Sequence, residues 1–164
     1  MIDPTSVILL TIYFAGGTIR GITRLQKVLF LLQEEADLCK FNFIPYRFGP
    51  YSYEVTNLVN SLLSRNILKK KYVTVFDFLQ ENPMEIIYLT NKGHAEVKKI
   101  IEKVDNITLL KMRFLVRKFS SIPLTYLIAY VYAKYPEYTT LSEIKKLVKE
   151  WRDVYGLRLQ DLPR

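Results

Sequence analysis

Along most of this chain apolar residues recur three and four positions apart, and over one central stretch they come instead as two runs of β-branched and aromatic residues. The first helical segment, "PTSVILLTIYFAG", is apolar nearly all round. Asp3 can cap it, Pro4 suits its first position, and Gly16-Gly17 supplies the stop. A helix without a polar face must be covered, so it is either central to the core or packed against a second subunit. The next, "ITRLQKVLFLLQEEADL", carries Ile22, Leu25, Val28, Leu29, Leu32 and Ala36 as its stripe, with Arg24, Gln26, Lys27 and Gln33 away from it.

Pro45 and Pro50 then predict an extended segment with Phe41, Phe43 and Tyr46 pointing inward. After the Gly49-Pro50 turn, Ser52 can cap a helix running to about Arg65, with Glu54 in the first turn, where an acid suits the helix dipole. Val55, Leu58, Val59, Leu62 and Leu63 form its buried stripe. Tyr53, Thr56, Asn57, Asn60 and Ser64 fall on the other side, and Asn66 can end it in the left-handed conformation. "ILKKKYVTVF" and "EIIYLT" read as two strands joined by the polar loop "DFLQENPM", with Asn82-Pro83 as the break. Thr90 caps a further helix with Val97, Ile100, Ile101 and Val104 inward.

Helix, helix, two-stranded hairpin, helix is the winged helix-turn-helix order. It makes residues 52–65 the expected recognition helix and about 74–85 the expected wing. The remaining third reads as helices: "ITLLKMRFLVRKFSS", "PLTYLIAYVYAKY", and a last one with Leu141, Ile144, Leu147, Val148 and Trp151 as its stripe and Ser142 or Thr140 as its cap. In the first of these, Leu109, Met112, Leu115, Val116 and Phe119 cluster on one side, and Lys111, Arg113, Arg117 and Lys118 lie outside that arc. The expected fold is therefore mainly α with a small antiparallel β-hairpin. A winged-helix domain over 1–105 carries a helical C-terminal extension over 106–164, packed on it or continuous with it as one domain.

Charge narrows the function classes. The net charge is +8 over 164 residues. Residues 1–82 hold nine Lys/Arg against seven Asp/Glu, whereas residues 83–164 hold fifteen against nine, so the second half carries most of the positive field. Such a field favours polyanions and also serves solubility. No apolar run approaches the ~20 residues of a membrane-spanning helix, so no membrane partner is expected. An acidic Asp3 and the lack of a cleavage pattern read against a secretory leader, and a single cysteine, Cys39, fits a reducing cytoplasm.

Little points to catalysis. His94 is the only histidine and reads as an exposed residue in the first turn of its helix; Cys39 has no evident base partner; Glu34, Glu35 and Asp37 read as a solvated acidic cluster. Gly16-Gly17 lacks the spacing that cradles phosphate. A non-enzymatic protein without cofactor or metal is expected.

"GITRLQKVLFLL", "YRFGPYSYEVTNLVNSLLSRNIL", "YLTNKGHAEV" and "LIAYVYAKYPEYT" resemble, in order, the corresponding segments of the YwgA-like, phage-associated group of proteins. The Leu-Gln-Lys helix followed by an aromatic-Gly-Pro turn is similar to the Panacea domain of antitoxins and proteolysis adapters. The resemblance covers most of residues 5–140. It implies a winged-helix-related fold in a setting of mobile elements, defence or regulation, and members acting by binding other proteins.

Two binding functions follow as expectations. The first is a regulator of transcription that binds double-stranded DNA, with Asn57 and Asn60 able to pair with adenine and Tyr53, Thr56 and Ser64 able to reach bases or phosphates. Arg65, Lys69, Lys70, Lys71, Lys92, Arg113, Arg117 and Lys118 would anchor the backbone, although strand alternation points Lys70 away from its two neighbours. The second is an antitoxin-like or adapter protein that uses the same surface on a protein. Twelve tyrosines and nine phenylalanines, with Tyr126, Tyr130, Tyr132, Tyr135 and Tyr138 crowding one segment, suit either a protein interface or the edge of a core. A homodimer through the first helix or the C-terminal helices suits both functions.

Overall fold

The computed structural model describes residues 2–76 and 81–157. The architecture is mainly helical with a small antiparallel sheet. In chain order it runs α1 (Pro4–Phe14), β1 (Thr18–Ile19), α2 (Ile22–Ala36), β2 (Ile44–Tyr46), β3 (Gly49–Tyr51), α3 (Tyr53–Ser64), β4 (Leu68–Phe76), β5 (Glu81–Leu89), α4 (Asn91–Ile101), α5 (Asn106–Ser120), α6 (Leu124–Lys134) and α7 (Lys145–Tyr155), with a 3-10 turn at Pro136–Thr139.

α1 is the hub. Asp3 Oδ1 accepts from the Ser6 amide at 3.0 Å, and Gly16 and Gly17 end the helix at φ of 102° and 84°, a region costly for any residue with a Cβ. Val7 to Ile12 are all buried, with α2, α3, α4 and α5 packed around them. Of the two ways to cover this helix, the chain itself supplies the cover.

The core is continuous across residue 105. Met112, Val116 and Phe119 of α5 and Leu127, Tyr130 and Val131 of α6 join the same apolar cluster as Leu25, Val55, Val59 and Val97. α7 closes a smaller cluster through Val148, packed with Ile128, Ala129 and Tyr132. Leu141 precedes α7 and Leu147 lies on its outer side, 66% and 44% exposed, so neither belongs to that helix's buried stripe, and Ile144 stands at the N-cap in place of Ser142 or Thr140. The crowded tyrosines take the core role: Tyr130 and Tyr132 are buried, and Tyr126, Tyr135 and Tyr138 pack against the main cluster. Tyr130 Oη donates to Glu35 Oε1 at 2.7 Å, and Lys134 Nζ pairs with the same carboxylate at 2.9 Å.

Three local departures have clear physical reasons. β1 pairs with β5, which makes a three-stranded sheet in the order β1-β5-β4 where two strands are read from the sequence. Two residues are too short a run for alternation to show. β5 begins at Glu81, so Asn82-Pro83 lies inside the ladder opposite Val75 and Thr74, on a sheet edge beyond the reach of β1 where a missing N–H is tolerated. The tip of the expected wing, residues 77–80, lies outside the described residues. Finally, Gly49-Pro50 sits in β3, and the turn falls one step earlier at Arg47-Phe48.

α4 is anchored where the sheet ends. Thr90 Oγ1 accepts from the Gly93 amide at 3.0 Å and donates to the Asn66 carbonyl at 2.6 Å, so one hydroxyl caps α4 and ties it to the left-handed end of α3. Gly93 packs against the Ile67 carbonyl so closely that no Cβ fits. Thr90→Ala is expected to lower unfolding free energy by about 1 kcal/mol, read as a reduced urea midpoint with an unchanged m-value.

Candidate nucleic-acid interface

α3 is delivered to the surface by polar groups buried in α2. Gln26, Lys27 and Arg24, which helical periodicity places away from the apolar stripe, are 1%, 2% and 8% exposed. Burying them is costly unless each finds a partner. Gln26 Oε1 accepts from the Ser52 amide at 2.9 Å, while its Nε2 donates to the Ser52 carbonyl at 2.9 Å and to Thr56 Oγ1 at 3.2 Å. Lys27 Nζ donates to the Pro50 carbonyl at 2.9 Å, with burial pulling its pKa down to about 7. Arg24 Nη1 holds the Ser120 and Ile122 carbonyls at 3.3 and 2.6 Å, so it secures the C-terminal end of α5. Burial first, and the nearby Arg20 charge second, lower its pKa. α2 therefore grips the chain at the entry to α3, where Ser52 Oγ also caps the helix by accepting from the Val55 amide at 3.3 Å.

The helix so fixed buries Val55, Val59 and Leu62 and presents Tyr53, Glu54, Asn57, Asn60, Ser61, Ser64 and Arg65 to solvent, with the Glu54 carboxylate accepting from the Asn42 amide at 3.3 Å. Thr56 departs from the expected outer set. It is half-buried, and its hydroxyl lies 2.6 Å from Tyr51 Oη and accepts from Gln26, so it holds the helix in place rather than facing outward. At the N-terminal end, the rings of Tyr46, Tyr51 and Tyr53 meet with centroids 4.9 to 5.8 Å apart. This aromatic group is legible in sequence only as three tyrosines around a proline-broken segment, and Tyr46, read there as inward, is half-buried beside the surface. Arg47 lies over the Tyr46 ring and pairs with Glu143 at 3.5 Å.

The basic candidates divide into two groups. Arg65 closes α3, and Lys92 of α4 donates to its carbonyl at 3.2 Å, which brings these two cations to the C-terminal end of the helix. Lys69 and Lys71 follow on one face of β4, opposite Tyr88 and Ile86, with Lys71 Nζ 5.5 Å from the Tyr88 ring centre. Lys70 turns to the other face, opposite buried Ile87, and pairs with Glu85 at 3.5 Å. Its charge is largely answered within the chain.

Arg113, Arg117 and Lys118 are exposed on α5. Arg113 and Arg117 line a cavity of about 400 Å³ with Tyr13, Phe14, Gly16, Gly17 and His94. His94 and Lys92 stand two residues apart in α4 and so point to opposite sides of it. Lys92 goes to α3, and His94 goes to Tyr13, whose ring centre is 6.3 Å from its own. The α5 arginines are thus not gathered with the α3 group. His94 is exposed, as its place near the start of α4 suggests. Cys39 is buried, and burial raises its thiol to about 12, which leaves it a poor nucleophile.

Among the described residues no helix is long and apolar enough to cross a membrane, and no three His, Cys, Asp or Glu side chains gather as a metal site. No protein-family model matches the chain, and no curated protein matches it.

Proposed function

We propose that this protein is a DNA-binding regulator of winged-helix type, with α3 in the major groove. The observation that carries the reading is the outer face of α3: Asn57, Asn60, Ser64 and Arg65 are exposed and polar, on a helix whose entry is fixed by Gln26, Lys27 and Ser52. Pre-organisation of this kind lets a recognition helix bind without first paying to order its own backbone. The order α1-β1-α2-β2-β3-α3-β4-β5, with strands paired β1-β5-β4, supports a winged-helix assignment in which the short β2–β3 hairpin is inserted between α2 and α3, and the β4–β5 hairpin takes the place of the wing. Asn57 and Asn60 would read adenine edges. Arg65, Lys69, Lys71 and Lys92 would bind phosphates at the end of the helix, and Tyr53 and Ser64 would add neutral contacts. The mobile-element setting implied by the Panacea-like motifs is compatible with such a regulator and stays part of the proposal.

The salt dependence of duplex binding tests the reading. Each phosphate neutralised adds about 0.9 to the slope of log affinity against log salt, so Lys69→Gln with Lys71→Gln is expected to flatten that slope by about 2. Lys70→Gln is expected to change it little, because Glu85 holds that ammonium. No duplex binding at low salt, or a slope indifferent to Lys69 and Lys71, would overturn the proposal.

The adapter reading has one observation of its own. An exposed apolar group lies not on α3 but on α5, where Ile107, Leu110 and Phe114 are 79%, 64% and 69% exposed.

A further inference from the structure

α5 is apolar on two opposite sides. Met112, Val116 and Phe119 are buried against α1 and α2, which accounts for one. Ile107, Leu110 and Phe114 form the other, within an arc of about 60° on a wheel of 100° per residue. On the same wheel, Lys111 and Lys118 border one edge of this stripe and Arg113 and Arg117 the other, all four exposed. Residues 106–120 contain no acid. Beside the arginine edge lies the cavity of about 400 Å³ floored by Tyr13, Phe14 and His94.

We infer that this face of α5 docks an amphipathic helix of a partner protein, one whose apolar ridge is flanked by carboxylates. Charge complementarity selects that occupant. A second copy of the chain laid along α5 would set cations against cations, which is unfavourable across a desolvated contact. A lipid surface would suit the stripe and its bases, but a flat bilayer cannot fill the concavity next to Arg113 and Arg117, whereas a side chain projecting from a helix can. Apolar residues at i, i+3 and i+7 are the pattern by which one helix face receives another. The placement also separates two functions on one small chain, with α3 left free for nucleic acid while α5 is occupied. Failure of the docking inference would leave the α3 reading untouched.

The test uses the full chain and three probes: a labelled synthetic helix with a leucine ridge and glutamate flanks, the same helix with lysine flanks, and phosphatidylcholine–phosphatidylglycerol vesicles. Fluorescence anisotropy is expected to show binding of the glutamate-flanked helix alone. Phe114→Ser is expected to weaken it by roughly tenfold or more, and Arg113→Glu with Arg117→Glu to shift preference to the lysine-flanked helix. Phe114 is exposed, so the variant should keep its thermal midpoint, which the same sample reports. The inference is overturned if the glutamate-flanked helix does not bind, or binds Phe114→Ser as well as it binds the native chain. Binding of vesicles in place of the helix would make the stripe a lipid-facing surface, and a dimer abolished by Phe114→Ser would make it a self-interface; either result overturns it too.

Discussion

Alanine at both Asn57 and Asn60 is expected to lower affinity for a duplex selected from random sequence by roughly a hundredfold, while binding to unselected duplex stays nearly unchanged. The separation follows from the proposed division of labour on α3. A bidentate amide contact to adenine contributes about 1–3 kcal/mol of discrimination, and two of them act almost additively when they read different base pairs. Phosphate contacts from Arg65, Lys69, Lys71 and Lys92 would persist in the variant. Both asparagines are exposed, so the substitutions should cost the fold no more than about 0.5 kcal/mol. Anisotropy titrations against the two duplexes make the comparison. Equal weakening on both would mean that the amides help grip the backbone and do not read bases.

The second large effect is a rise in stability with pH that depends on Lys27. Its folded pKa of about 7 lies well below the ordinary lysine value of 10.5, because burial disfavours the ammonium and the Pro50 carbonyl compensates only in part. Below pH 7 both folded and unfolded chains hold the proton, and the fold bears the full cost of the buried charge. Between about pH 7 and 10.5 the unfolded chain binds more protons than the folded one, so stability climbs with pH. From pH 6 to pH 9 the gain attributable to this one group is about 2–3 kcal/mol. Lys27→Met should lose that slope. It leaves the Pro50 carbonyl without its donor but removes the buried charge, so the native chain is expected to gain on the variant steadily as pH rises. Urea midpoints of both chains at pH 6 and 9 give the difference. A constant difference would show that Lys27 keeps its proton in the folded chain across this range.

The helices were legible because their caps and stripes are local. Asp3, Ser52 and Thr90 accept the amide bonds that their positions before apolar runs predict, and Asn66 adopts the left-handed turn expected of it. The polar residues of α2 were misread because periodicity measures which face is apolar, and not whether a polar side chain finds a backbone carbonyl across the core. Gln26 and Lys27 do find one, from a segment 23 to 26 residues away. β1 escaped because it is held in register by β5 rather than by its own two residues. The outer face of α3 could be read as a set apart from Thr56, whose hydroxyl is claimed by Gln26 and Tyr51. The exposed stripe of α5 was hidden for a different reason. Once Leu109, Met112 and Val116 satisfy the need for a buried side, nothing in the pattern distinguishes Ile107, Leu110 and Phe114 from further core.

Charge was the weakest guide of all. Counting cations by chain half does not say which of them are free: Lys70 and Lys134 are held by Glu85 and Glu35, and Arg24 secures the end of α5. What is left for a polyanion near α3 is a short group at its C-terminal end. That group is enough for phosphate anchoring only if the helix itself enters the groove.

Site-specific photo-cross-linking measures that entry most directly. A photoreactive amino acid placed at position 60 on α3, or at position 114 on α5, is irradiated in the full chain with labelled duplex at low salt. The proposed function predicts a protein–DNA cross-link from position 60 and none from position 114. Cross-links from position 114 alone, or none from position 60 under conditions where the chain retains the duplex, would contradict it.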